Sequence, residues 1–449
     1  MRRRSIRTAT VVAATLLLGQ AGAAGPGGTK QLLIPDDGKT SPKVNDYTNP
    51  DSDYCYRRMV ASDDFVLFWH KSYGSAPAAN PDEKKRFSVD RVLAEAERYY
   101  AFYVNQLRWF GSGTAAATRY KMVIYVTDNP DGTAYGSASG PVGLFWTPAS
   151  RINQEPFGVV AHELGHSFQI VIRADGCWAF SDGRNGPFFE MTSQFMLWQV
   201  LPQWQTFERY HLLSYLKQTH LAFLHEDNQY HSPYVLEYWS AKHGQPFIGR
   251  MWREARKGED PVMTYKRLAG LNQAGFNPEM FDAARRFVTW DLPRIEKAGA
   301  KYANLHTSAL TPVGDESFQA VATRCPQNYG YNAIKLKVPA FGTRVGLDFT
   351  GLPHADGFHS VHPELAGWRY GFLASLDDGR RVYGPACADP NGKTGFVVPP
   401  RTKFLWLVVM GAPTEHWTHV VDKTKATNEQ WPYRIRLTNT APDDSVIQH

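Results

Sequence analysis

Residues 156 to 172 read "PFGVVAHELGHSFQIVI", and no other run constrains the fold of this chain as strongly. Pro156 suits a first helical turn. Apolar or small residues at Phe157, Val159, Val160, Ala161, Leu164, Phe168, Ile170, Val171 and Ile172 then predict a helix over about 156–172, buried on most sides. Its one formally charged residue is Glu163, and a buried carboxylate beside two histidines is costly unless a cation compensates it. His162 and His166 stand at i and i+4, so both imidazoles share one face a single turn apart, the spacing that lets two nitrogens reach one zinc ion. Glu163, next to the first of them, can address a metal-bound water. Gly165 costs about 1 kcal/mol relative to alanine inside a helix. It leaves two readings open: close packing of a neighbouring helix, or room for the metal or another chain.

A catalytic zinc takes a third protein ligand and leaves its fourth position to water. Asp175, Asp182 and Glu190 are the nearby candidates. The segment "NGPFFEMTSQFMLWQ", 185 to 199, predicts a helix opened by Pro187, with Glu190 in its first turns amid Phe188, Phe189 and Met191. A half-buried carboxylate there wants a cation, which favours Glu190 over the two aspartates. The plainer alternative is that it only favours the helix N-terminus.

The remaining sequence sets this helix in a larger chain of 449 residues, long enough for two domains. Residues 1–24 have a basic start, a short apolar run and Ala21 and Ala23 at A-x-A spacing, the pattern of a secretory signal peptide cleaved near Ala23–Ala24. The expected location is secreted or periplasmic, with no integral membrane segment. Arg2, Arg3, Arg4 and Arg7 carry most of the net charge of +6, so its basic balance does not point to nucleic acid. Residues 25–52 read as a flexible lead-in. From 53 to 303 the pattern is α+β: strand candidates at 63–70, 120–128 and 140–148, a long helix over 88–111 capped by Ser88 and ended by Gly111, then six helical segments between 187 and 290. From 304 to 449 short strands separated by turns, including the Asp377-Asp378-Gly379 hairpin signal, predict an all-β sandwich. Cys55 and Cys177 lie in the first part and Cys325 and Cys387 in the second, so two disulfides within domains are expected of an exported chain.

His162-Glu163-x-x-His166 followed by a glutamate on the next helix resembles the gluzincins, zinc metallopeptidases with two histidines and a glutamate as ligands. The metzincin continuation is excluded, because Gln169 and Ile172 stand where it needs a glycine and a histidine. "HELGHSFQ", Trp178 and "EMT" at 190–192 are similar to enhancin-like metallopeptidases, which often attack mucin-type glycoproteins. "DDFVLFWH", "HELGHSFQ" and "QWPYRIRL" together resemble an uncharacterised family of secreted bacterial zincin-like proteins over most of the chain. The resemblance implies a zincin-like catalytic domain with Zn2+ held by His162, His166 and Glu190, and with Glu163 as general base. It also implies a protein or glycoprotein substrate. Gln194 stands where thermolysin-like enzymes carry an aspartate that supports a histidine; an amide accepts an imidazole N–H but adds no charge. Tyr234, His231 and Tyr238 are the candidates for stabilising an oxyanion, and "GPVGLFWTP", 140–148, is the candidate edge strand for an extended peptide. The competing expectation is a non-catalytic glycan-binding or adhesive protein whose β-sandwich does the recognition. A third is a hydrolase using the same zinc on non-peptide substrates.

Overall fold

The computed structural model describes residues 30–111, 116–422 and 424–448. The signal-peptide segment lies outside them. Among the described residues, no helix is long and apolar enough to cross a membrane. The fold is α+β.

A five-stranded mixed sheet comes first: β1 (Met59–Ala61), β2 (Phe65–Trp69), β3 (Met122–Val126), β4 (Tyr135–Ser139) and β5 (Val142–Thr147), in the order β1-β2-β3-β5-β4. The central strands β2, β3 and β5 are parallel, and every residue in them is buried, as expected of strands covered on both faces. The 140–148 run therefore forms an interior strand. The edge belongs to β4, which pairs antiparallel with β5 and whose small, polar sequence YGSAS carries no strand signal of its own.

One face of this sheet is covered by residues 30–54, which correct the expectation of a loose lead-in. Gln31 pairs with Tyr120, and Tyr47, 4% exposed, packs edge-on against Phe68 and hydrogen-bonds Tyr125. The other face carries α1 (Val89–Asn105) and α2 (Gly158–Val171), the helix predicted over 156–172. Ser88 caps α1 as expected, through the backbone N–H of Arg91. The helix stops at Asn105, short of Gly111, because Leu107 and Trp109 turn into the core and Trp109 donates to the Phe168 carbonyl. Tyr99 and Tyr103 of α1 likewise donate to the carbonyls of Pro156 and Ala161, so three side chains hold α2 along its length. Ser167 bonds the Leu144 carbonyl and fixes α2 on the sheet.

After α2 comes α3 (Gly186–Val200), and then helices at Arg209–Gln218, Tyr234–His243, Phe247–Glu254, Pro261–Ala269 and Gln273–Phe287, which overlap the six predicted segments, the last of them starting ahead of Pro278. The C-terminal strands form two sheets. One holds β8 (Tyr331–Leu336), β10 (Trp368–Leu376), β11 (Arg381–Tyr383) and β13 (Thr402–Gly411), in the order β11-β10-β13-β8. The other holds β6 (Leu310–Pro312), β7 (Ser317–Ala320), β9 (Arg344–Gly351), β12 (Lys393–Val397) and β14 (Tyr433–Thr438), in the order β12-β9-β14-β7-β6. Leu336, Tyr370, Phe372 and Leu407 from the first sheet meet Val345, Phe349, Phe396 and Tyr433 from the second in one apolar layer. Alternate residues of the first sheet, among them Tyr331, Leu373, Trp406 and Val408, face the other way and join the helical lobe's core. Apolar packing thus crosses residue 304 without a break.

The expected disulfides do not form: all four cysteines are free. Cys325 packs beside Tyr433, Cys387 beside Tyr370, and the ring of Phe349 is stacked between those two tyrosines. Burial pushes the Cys325 thiol well up, and its Sγ turns to the Val321 carbonyl.

Candidate metal centre

Helices α2 and α3 pack with almost nothing between them at one point. A Cβ on Gly165 would lie 2.7 Å from Ser193 Oγ and 3.2 Å from Ser193 Cα, so close helix packing accounts for this glycine. Ser193 Oγ cannot swing away freely, because Gln169 Nε2 donates to it. Gly165→Ala is expected to lower stability by up to about 2 kcal/mol, the overpacking cost of about 1–3 kcal/mol less the helix preference of alanine, about 1 kcal/mol. Urea unfolding measures it. On the other side, a Cβ on Gly136 of β4 would collide with the Glu163 carbonyl, so the edge strand runs directly against α2.

This close approach brings His162 and His166 of α2 together with Glu190 of α3. Their donor atoms form a near-equilateral triangle: His162 Nε2 to His166 Nε2 3.1 Å, His166 Nε2 to Glu190 Oε2 3.1 Å, His162 Nε2 to Glu190 Oε2 3.2 Å. The three are the group of histidine, cysteine and acidic residues, among the described residues, with the geometry to hold a metal.

Two glutamines decide which protons the imidazoles carry. Gln169 Nε2 donates to the Phe189 carbonyl, which turns its Oε1 toward His166 Nδ1 at 3.1 Å. Gln194 Nε2 donates to the Tyr230 carbonyl, which turns its Oε1 toward His162 Nδ1 at 3.2 Å. Each Nδ1 must therefore carry the proton, and each neutral imidazole presents a bare Nε2 lone pair to the other and to the Glu190 carboxylate. Three lone pairs converging without a proton between them repel unless a cation sits among them. Tetrahedral zinc with bonds of about 2.0–2.1 Å needs donors about 3.3–3.4 Å apart, so opening the triangle by about 0.2 Å suffices. The residues fit the metal. Without it, the repulsion favours a proton on His166: burial lowers the pKa of this ring, but Glu190 outweighs burial and raises it. Glu190 is held well below the usual carboxylate range: burial, which raises it, is outweighed by the two histidines beside it.

Glu163, 7% exposed, lines the same pocket as His162. The other expected residues fall elsewhere. Tyr234 is fully buried, packed at steep ring angles among Trp198, Tyr215 and Trp290, and cannot meet a substrate. Tyr238 bonds Asp282 and lines a different pocket, with Arg286 and Asp291. His231 sits behind the site, its Nδ1 2.7 Å from His211 Nδ1, and His211 Nε2 in turn meets Gln194 Nε2. Asp182 pairs with Arg184 and Asn185, and Asp175 also lies outside the triangle.

The residue that sequence reasoning missed is Tyr230. It is 39% exposed, its ring centroid 6.2 Å from that of His162 and its hydroxyl within reach of Glu190. Pro233 is the signal that could have found it: proline opens the next helix, so Tyr234 enters the helix body while Tyr230 stays on the turn before it. A strap between β13 and β14 grips that turn. His419 meets Glu226 at 3.2 Å, Lys425 meets Asp227 at 2.6 Å, and Asn428 bonds His225 at 3.1 Å. Nearby, His416 pairs with buried Asp260 at 2.6 Å.

Because Gln194 both sets the His162 tautomer and holds the Tyr230 carbonyl, Gln194→Leu is expected to weaken metal binding about 10- to 100-fold. Competition with a chelator reads this directly.

Fold and site together define an α+β protein with a histidine-histidine-glutamate centre on two abutting helices. The chain belongs to a family of unknown function, DUF6055, whose model matches residues 26–444. No curated protein matches it. Among solved structures, the Yersinia pseudotuberculosis-derived mitogen aligns at 11% identity over 28% of this chain and 86% of its own, with a TM-score of 0.18. The M60 catalytic domain with the CBM51-1 and CBM51-2 domains from Clostridium perfringens ZmpB aligns at 10% identity, with a TM-score of 0.25. That alignment covers 88% of this chain and 60% of the other.

Proposed function

We propose that this chain is a secreted, zincin-like, zinc-dependent metallopeptidase acting on proteins or glycoproteins. The observation that carries the reading is the pair of glutamine-fixed tautomers, which aim two bare imidazole nitrogens and one carboxylate at a single point. His162, His166 and Glu190 would hold the zinc. Bound there, zinc supplies an acidified water and polarises the scissile carbonyl.

The chain's own residues do the rest. Glu163, one residue from His162 and on the pocket wall, takes a proton from the attacking water and passes it to the leaving amine. Tyr230, rather than Tyr234 or His231, donates its hydroxyl to the developing oxyanion, since it alone of the three is exposed beside His162. Its pKa is raised, first by burial and then by the Glu190 charge, so it keeps its proton and remains a donor at neutral pH. Strand β4 offers an edge for an extended peptide next to α2, the role first given to 140–148. The C-terminal sandwich is the candidate glycan-binding part.

Metal analysis of the purified mature chain, combined with a broad digest of peptides and glycopeptides, tests this reading. One zinc per chain and metal-dependent cleavage are expected. A chain that takes up no zinc refutes the site, and zinc without cleavage of any amide refutes the activity.

A further inference from the structure

Next to the triangle, a pocket of about 180 Å³ opens to solvent and is continuous with the site, since His162 and Glu163 form part of its wall. Tyr210, 59% exposed, and Tyr230 stand along it, and Glu208 lies within it with its side chain 23% exposed. Among the described residues no lysine or arginine lines it. Trp204 Nε1 donates to Glu208 Oε2 at 2.6 Å, a neutral partner for a charged group.

The nearest ring that could supply a counter-charge is His211, 3.8 Å away, and it cannot do so. Its Nε2, the atom facing Glu208, accepts from the amide of Gln194, whose orientation is fixed by the Tyr230 carbonyl. An imidazole that accepts at one nitrogen is neutral. Burial, with His231 and His162 adding to it, accordingly brings His211 down to about 3. Glu208 shows the consequence: burial pushes its pKa up, against the smaller effects of Trp204 and His162.

A partly buried carboxylate without a counter-cation, reached past two tyrosine faces, has the chemistry that a long basic side chain satisfies. The stem lies along the rings, and the charged end reaches the carboxylate. We propose that this pocket is a specificity subsite that receives a lysine or arginine side chain of the substrate, with Glu208 as the residue that selects it. The proposal rests on the peptidase reading above and adds the side-chain class to it.

Two measurements separate the proposal from that reading. Pentapeptides of alanine carrying one Lys, Arg, Leu or Glu, walked through the five positions, are titrated by calorimetry into the zinc-loaded Glu163→Gln variant. The same set is digested by the wild type. A preference of about 10- to 100-fold for Lys or Arg at one position is expected, the range of a hydrogen bond to a charged group. The preference should vanish when Glu208→Gln is added and turn toward Glu with Glu208→Lys, zinc content being unchanged in both. Equal binding of Lys and Leu peptides overturns the proposal, as does a basic preference that survives Glu208→Gln. An O-glycosylated peptide that binds best and ignores Glu208 overturns it in favour of a sugar pocket. Glu208-dependent binding of lysyl peptides with no cleavage upholds the pocket and removes the peptidase activity. Cleavage indifferent to basic residues does the reverse.

Discussion

The Glu163→Gln variant is expected to keep one zinc per chain and to lose about 10²- to 10⁴-fold in kcat, with KM little changed. Glutamine preserves the shape of the side chain on the pocket wall but cannot take the proton from the attacking water. The ligand triangle does not depend on this side chain: Gln169 and Gln194 set the tautomers, and Glu190 closes the third corner. Metal content and turnover should therefore separate cleanly in this variant. Parallel loss of both would mean that Glu163 holds the site together, and would leave the proton transfer without a carrier.

Glu190→Ala is expected to reduce zinc affinity by more than about 100-fold, beyond the usual effect of an outer partner, and to abolish activity with it. Chelator competition measures the loss. Full retained affinity would return the third ligand to Asp175 or Asp182. The wild type adds a pH dependence with a definite sign. In the metal-free chain Glu190 raises the His166 pKa, so that ion pair stabilises the fold at low pH and its contribution fades as pH rises through the raised value. Zinc needs the neutral ring, so affinity should rise over the same interval and binding should release a proton. Calorimetry in buffers of different ionisation enthalpy detects that proton.

The α2 motif was legible because its chemistry sits on a helical period: His162 and His166 share a face whatever the tertiary structure does. Glu190 could be picked out because it is the one formally charged residue of α3. The helical segments after 187 and the longer C-terminal strands were legible through Gly and Pro punctuation and dense apolar runs. What escaped notice depends on partners far away in sequence. β4 is small and polar and becomes a strand through β5 beside it. Residues 30–54 look loose until Tyr47 meets Phe68 and Tyr125. Tyr230 is chosen over Tyr234 by a helix start, and the roles of Gln169 and Gln194 depend on which backbone carbonyls their amides meet. The cysteines were read by compartment, yet an aromatic stack separates Cys325 from Cys387.

The strap between β13 and β14 also sets an order of events in biosynthesis. His162, His166 and Glu190 leave the ribosome close together, so the three candidate ligands are made early. The partners that moor the Tyr230 turn come much later: Lys425 lies 198 positions beyond Asp227, and His419 lies 193 beyond Glu226. Until those residues are in place, the turn that carries Tyr230 lacks its contacts through His225, Glu226 and Asp227. The surroundings of that turn are complete only with the last strands, after nearly the whole polypeptide has been made.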